Sequence, residues 1–331
     1  MKKVYISAIM SVVVLLMAAC SSPAQPTPTP APQKVRLQLS WTDNHEYAGF
    51  YWADKLGFNQ EENLIVELVP FNFDQTDLVK QVTSGTTEFA ISSGDQLLLE
   101  RAKGAPIVAI ATIYQRSPYC FISLKESKIL KPADLVGKKI LLTQRDEMFF
   151  NAMMISQKLD PKLSTVIYRT DFTNDALFNG KADVIDAFVD NQPVQLETDG
   201  HPVNVMLPGD YGIEVYPDVI FTSEDFLKKN PEAVQRFLRT LTKGLQKSLE
   251  NPNESAALAV AHNKNLTLEA EIKSMNKILP LMNPPGSRPG SMTPQAWEAI
   301  KQILVQQRLL DKDFDVTKAY DLTYFNQTAP K

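Results

Sequence analysis

The sequence predicts an α/β protein of two lobes followed by a helical C-terminal segment. Three observations carry that prediction. Strand-like and helix-like stretches alternate from Lys34 onward, the rhythm restarts after about residue 130, and beyond Phe221 the chain reads almost entirely as helix. Such alternation implies βαβ units and a mostly parallel sheet.

In the first unit, Val35–Leu39 alternates polar and apolar residues as a strand does. Ala48–Leu56 reads as a helix ended by Gly57, and Leu64–Pro70 as a second strand. Gln75–Ser84 is a helix closed by Gly85, Phe89–Ser92 a strand, Leu97–Lys103 a helix ended by Gly104, and Ile107–Ile113 a strand. In the second unit, a short helix and turn over Lys131–Lys138 lead to strand Lys139–Leu142, helix Phe149–Lys158, strand Thr165–Tyr168 and helix Asn174–Phe178. Ala182–Val189 and Val203–Leu207 are further strands, and a return strand follows Asp218. Helices are expected over Ser223–Lys229, Pro231–Leu249, Asn253–His262, Leu266–Leu279 and Pro294–Gln307, with Pro231 and Pro294 at first-turn positions.

The N-terminus sets the compartment. Lys2 and Lys3 precede an apolar run from Val4 to Ala19, and small residues lead up to Cys20. This order reads as a secretory signal, too short for a bilayer span, and resembles a bacterial lipobox. Residues 1–19 are therefore expected to be removed and Cys20 lipidated, anchoring the chain at the extracytoplasmic face of the cell membrane. Residues 20–33 carry proline at nearly every second position and are expected to form an extended spacer.

The chain has 331 residues, 44% apolar and 22% charged, enough for one large two-lobed body. A net charge of −4 argues against a nucleic-acid partner. With Cys20 lipidated, Cys120 has no disulfide partner, and its apolar neighbours mark it as a buried small hydrophobe. The three histidines have no metal-ligand spacing, and no nucleophile elbow or phosphate loop is present. A polar contact or solvent exposure is expected for His45. A non-enzymatic binding protein is the expectation.

No Gly/Ser/Pro-rich linker separates the halves, so lobe 1 (34–114 plus 219–331) and lobe 2 (115–218) are expected to face each other as a clamp. Ligands of open α/β sheets sit beyond the carboxyl ends of strands. Flat ligands need aromatic faces, and Trp41, Tyr47, Tyr51, Tyr114, Tyr211 and Tyr216 fall near such edges. Asn44, Gln115, Gln144, Asn191 and the turn Ser92-Ser93-Gly94 offer polar contacts, and Arg145 and Asp190 follow strands. For each aromatic the alternative is core packing, for Arg145 a solvated loop, and for Asp190 a helix cap.

The turn Leu39–Ala53, with Leu56-Gly57-Phe58 and Glu61–Leu64, resembles the THI5/NMT1-like group of substrate-binding proteins for thiamine pyrimidines and riboflavin. Ser92–Asp95, Gln115–Pro118, Lys131–Lys138, Tyr211–Ile213 and Tyr216–Thr222 extend the resemblance over nearly the whole mature chain. It implies a type II periplasmic-binding-protein-like fold, an ABC permease and ATPase as partners, a monomer, and a transported vitamin with no cofactor. Glu46-Tyr47-Ala48-Gly49-Phe50-Tyr51 is similar to the aromatic-Ala-Gly-Phe-Tyr form of riboflavin-type receptors. A thiamine pyrimidine precursor is the alternative, and an aliphatic sulfonate a lesser one. The family's fungal enzymes carry a Cys-rich motif that this chain, with Cys120 alone, lacks.

Overall fold

The computed structural model describes residues 31–72, 74, 77–171 and 173–328. The signal segment, Cys20 and most of the proline-rich spacer lie outside the described residues. Gln33, the last residue of the expected spacer, already opens the first strand.

Ten strands form two sheets: β1 (Gln33–Gln38), β2 (Leu64–Val69), β3 (Phe89–Ser92), β4 (Ile107–Thr112), β5 (Tyr119–Leu124), β6 (Lys139–Leu142), β7 (Thr165–Tyr168), β8 (Val184–Phe188), β9 (Val203–Met206) and β10 (Val219–Ser223). The helices of seven or more residues are α1 (Ala48–Lys55), α2 (Gly94–Ala102), α3 (Glu147–Ser156), α4 (Gln192–Thr198), α5 (Pro231–Glu250), α6 (Pro252–His262), α7 (Leu268–Met282) and α8 (Pro294–Gln306).

The first sheet has the order β2-β1-β3-β10-β4 and the second β7-β6-β8-β5-β9. Among the named strands, parallel pairing joins β1 to β2 and β3, and β6 to β7 and β8. The expectation of a mostly parallel sheet is corrected by the two strands that follow the crossings. β5 runs antiparallel between β8 and β9, and β10 antiparallel between β3 and β4. Each such strand enters its sheet from the edge facing the other one, so it must run against its neighbours. The strand β5 and the helix α4 were absent from the sequence reading.

The crossings are held firmly. Ile113 N–H donates to the Asp218 carbonyl at 2.8 Å, and Arg116 Nε to Glu214 at 2.7 Å. The last turn of α7 continues past Pro280, beyond the expected stop at Leu279, and its Leu281 carbonyl accepts from Gln115 N and Arg116 N.

Apolar packing runs from one sheet to the other, joining Val35, Leu37 and Phe89 with Cys120, Ile122 and Ile185. Cys120 is free and wholly buried, which pushes its thiol well above its ordinary pKa. Helix α5 crosses α1 at two glycines: a Cβ on Gly244 would lie 2.0 Å from the Gly49 carbonyl oxygen. Ser223, Thr267 and Thr293 cap the helices that follow them through their side chains. Among the described residues no helix is long and apolar enough to cross a membrane.

Candidate ligand-binding site

The loop leaving β1 is pinned from within. The Asn44 side chain accepts from Glu46 N at 2.8 Å and caps the short 3₁₀ turn His45–Tyr47 that leads into α1. The Tyr47 ring is fully enclosed; its oxygen accepts from Trp41 N at 2.9 Å and meets Ser40 Oγ at 3.1 Å. Ser40 in turn donates to Asp218 at 3.2 Å. Tyr47 therefore shapes the loop with its hydroxyl and offers no free face in this state.

His45 joins three distant parts of the chain. Its two ring nitrogens each stand 2.8 Å from a carboxylate, Nε2 from Asp190 and Nδ1 from Glu271, all three being buried. His45 N–H adds a bond to Glu271 at 3.1 Å. Burial alone would lower the imidazolium pKa, but the hydrogen bonds to Asp190 and Glu271 prevail and raise it to about 10. The ring is thus a charged clasp between the loop after β1 and the end of β8. The Asp190 carbonyl accepts from Ser274 of α7, fixing the same corner.

Around this clasp the site is acidic. Glu46, Asp190 and Asp218 are all buried. Desolvation, then the neighbouring charges of Asp218 and Asp190, pushes Glu46 well above the usual carboxylate range. Burial, opposed by the Ser40 bond, raises Asp218 to about 7. The Tyr114 hydroxyl, in the field of Glu46, Asp190 and Asp218, is buried with no hydrogen-bond partner, and so is Asp190 Oδ1. Buried polar atoms are usually paired, and these two lie close together in one corner.

A second arm lies across the same junction. Arg145 Nη2 donates to Ser93 Oγ at 2.7 Å and meets Asp95 at 3.3 Å, linking the loop after β6 to the start of α2. The Tyr119 hydroxyl beside it is also buried and unpaired. Next to it Asp186 forms a buried ion pair with Arg169 and accepts from Thr143 N at 2.9 Å.

The remaining expected site residues are placed as follows. Trp41 is half-buried with its ring 5.7 Å from that of Phe71. Tyr51 turns away from the clasp, stacking on His262 at 3.9 Å and bonding Asp43 at 2.9 Å, beside a separate cavity of ≈ 340 Å³. Gly94 packs on α8, where an added Cβ would meet Ile300 at 2.9 Å, and Ser92 ends β3 half-buried. Gln115 is engaged by Ser291 at 3.2 Å and by the Arg288 carbonyl. The Tyr216 hydroxyl accepts from Thr293 N at 3.0 Å and its ring packs edge-on to Trp297. Tyr211 is half-buried, and Gln144 and Asn191 are exposed.

The structure therefore gathers Tyr47, Tyr114 and Asp190 at one corner, with the Ser93–Arg145 pair across the junction. Glu46, Asp218, Glu271 and Asp95 were not singled out by the sequence reading. Nothing in their local spacing marks them; their importance comes from partners up to 226 positions away. Among the described residues no three His, Cys, Asp or Glu side chains converge closely enough to hold a metal ion.

With this geometry in place, comparison with known proteins is informative. A riboflavin-binding protein, RibY, of Chloroflexus aurantiacus is 28% identical, covering 93% of this chain and 94% of its own. A formylaminopyrimidine-binding protein of Halalkalibacterium halodurans is 26% identical over 81% of this chain and 83% of its own. Relatives at 23% identity also include a 4-amino-5-hydroxymethyl-2-methylpyrimidine phosphate synthase of Legionella pneumophila, so the similarity spans binding proteins and enzymes. Among solved structures, the ligand-binding component of an ABC-type import system from Staphylococcus aureus superposes with a TM-score of 0.70 at 14% identity. It covers 90% of this chain and 99% of its own. The two five-stranded sheets are those of the periplasmic-binding-protein fold. Residues 44–255 match the model described as NMT1/THI5 like, and the chain belongs to that family.

Proposed function

We propose that this protein is the extracytoplasmic solute-binding component of an ABC importer, that it captures riboflavin, and that Cys20 carries its lipid anchor. The observation that carries the reading is the pair of unpartnered polar groups, Tyr114 hydroxyl and Asp190 Oδ1, buried where loops of both sheets meet. A ligand with hydroxyl and ring N–H donors satisfies them. The similarity to a riboflavin-binding protein over nearly the full chain supports the same ligand.

The two lobes, 34–114 with 219–331 and 115–218, part for entry and close on the bound ring. The Arg145–Ser93 contact bridges the two lobes and is made when they close. A ligand contacting both sides favours that form by its differential contacts, and the closed form is what the permease receives. Trp41, half-buried at the loop, supplies a stacking face.

A second reading, an aminopyrimidine of the thiamine pathway, is favoured by the carboxylates Glu46, Asp190 and Asp218, which suit exocyclic amino groups. Titrating purified protein into riboflavin separates the readings. Saturable quenching of flavin fluorescence with a Kd of about 1 μM or tighter is the expected result. Stabilisation by formylaminopyrimidine with no flavin quenching would transfer the assignment to the second reading, and no response to either would end both.

A further inference from the structure

We infer that the cavity between α1, β2 and α5 is a second ligand pocket, built for a small organic cation: an ammonium group on a short apolar or aromatic body. None of His45, Tyr114, Arg145 and Asp190 lines it, and it does not depend on the receptor reading above. The cavity measures ≈ 340 Å³, within the range of about 300–1,000 Å³ that small-molecule sites occupy. Phe50, Tyr51 and Ala53 of α1 and Thr240 of α5 supply its buried wall, and the half-buried Val66 and Leu68 of β2 line the other side. Asp54, Pro70 and His262 are exposed and form its rim.

The polar groups of this cavity are acceptors short of donors. Asn59, 4% exposed in the short helix Phe58–Glu61, lines the cavity, and its Oδ1 has no hydrogen-bond partner. Asp43 accepts from the Tyr51 hydroxyl at 2.9 Å through one oxygen, and its backbone carbonyl accepts from the Asn263 side chain at 2.9 Å. Among the described residues no cation pairs with Asp43 or Asp54, and no lysine or arginine lines the cavity. The cations on its flanks are committed elsewhere: Lys55, next to Asp54, to Glu254, and Lys243, one turn beyond Thr240, to Glu61. An ammonium carries three donors and no acceptor. It can therefore reach Asn59 Oδ1 and the remaining carboxylate oxygens without breaking a bond already made. Its apolar body replaces water against Phe50, Tyr51, Val66 and Leu68.

Isothermal titration calorimetry of the purified full chain with phenethylammonium chloride, and with phenethyl alcohol as its neutral counterpart, tests the assignment. The ammonium should bind saturably and at least fivefold more tightly than the alcohol, and excess riboflavin should not displace it. Asp54→Asn, at an exposed position, should weaken the ammonium at least twofold and leave the alcohol unchanged. Val66→Phe fills the cavity from the strand side and should abolish binding of both, with thermal denaturation checking the fold. Affinities for the two compounds within twofold of each other, or an unchanged preference in Asp54→Asn, would overturn the cation assignment. Heats that fail to saturate by about 10 mM would overturn the pocket itself. Displacement by riboflavin, or full binding in a folded Val66→Phe, would put the ammonium elsewhere and overturn it equally. Failure of riboflavin to bind bears only on the receptor reading, so the two outcomes stay distinguishable.

Discussion

Replacing His45 with glutamine removes the positive charge held between two buried carboxylates while keeping a side chain of similar reach. In the wild type the ring sits 2.8 Å from both Asp190 and Glu271. Its pKa, lifted from 6.5 to about 10, corresponds to about 5 kcal/mol at roughly 1.4 kcal/mol per unit. Breaking a buried ion pair by deleting one partner costs about 3–5 kcal/mol, because the other charge is left uncompensated. The two figures agree, and either is a large share of the roughly 5–15 kcal/mol that holds a domain together. The sign follows from the raised pKa: the imidazolium's contribution is complete below about pH 6.5, shrinks as pH rises, and is gone above about pH 10. Urea denaturation of ligand-free protein at pH 6.5, 8 and 10 measures it. His45→Gln should lose about 3–5 kcal/mol at pH 6.5, with the gap to wild type closing towards pH 10. A loss under about 1 kcal/mol at pH 6.5, or a gap that does not change with pH, would refute the charged clasp.

Two further substitutions test the packing and the acidic corner. Gly244→Ala should destabilise by about 2–3 kcal/mol, lowering Tm by roughly 5 °C or more, because its Cβ would collide with the Gly49 carbonyl at 2.0 Å; an unchanged Tm would mean the helices part freely. Asp218 behaves oppositely to a salt-bridged aspartate, since its folded pKa lies near 7, above the ordinary 3.8. Its ionisation costs stability as pH rises from about 4 to about 7, so Asp218→Asn should gain roughly 2–4 kcal/mol at pH 8 and almost nothing at pH 4. Thermal denaturation across that range measures it, and equal gains at both ends would rule the titration out.

The elements readable from the chain were those with a local signature. β3, β6 and β7 match their expected ranges residue for residue, each a short apolar run bounded by turn residues. β5 escaped because Tyr119–Leu124 is buried on both faces nearly throughout and so lacks alternation. α4 is only seven residues long, beginning shortly after β8 ends at Phe188, with Pro193 in its first turn. The antiparallel insertion of β5 and β10 depends on how two sheets exchange strands, which periodicity does not encode. At the site, the loop after β1 was located by its aromatic residues, yet the structure gives the central contacts to its polar ones. His45 was expected to make a polar contact or to lie exposed; it is buried and makes the contact, but its partners Asp190 and Glu271 lie 145 and 226 positions downstream. Tyr47 and Tyr216 illustrate the converse: each is aromatic and near a crossing, and each spends its hydroxyl on a backbone N–H.

The reading depends on a polar corner left incomplete until a donor-bearing ring occupies it, and Tyr114→Phe isolates that feature. The Tyr114 hydroxyl is buried without a partner, so deleting it should leave the empty protein as stable as before or slightly more so. Equilibrium dialysis of riboflavin against wild type and Tyr114→Phe should show affinity falling about tenfold, the worth of one buried hydrogen bond. Identical affinities in the two proteins, with riboflavin bound by both, would contradict a ligand seated against Tyr114 between the two sheets.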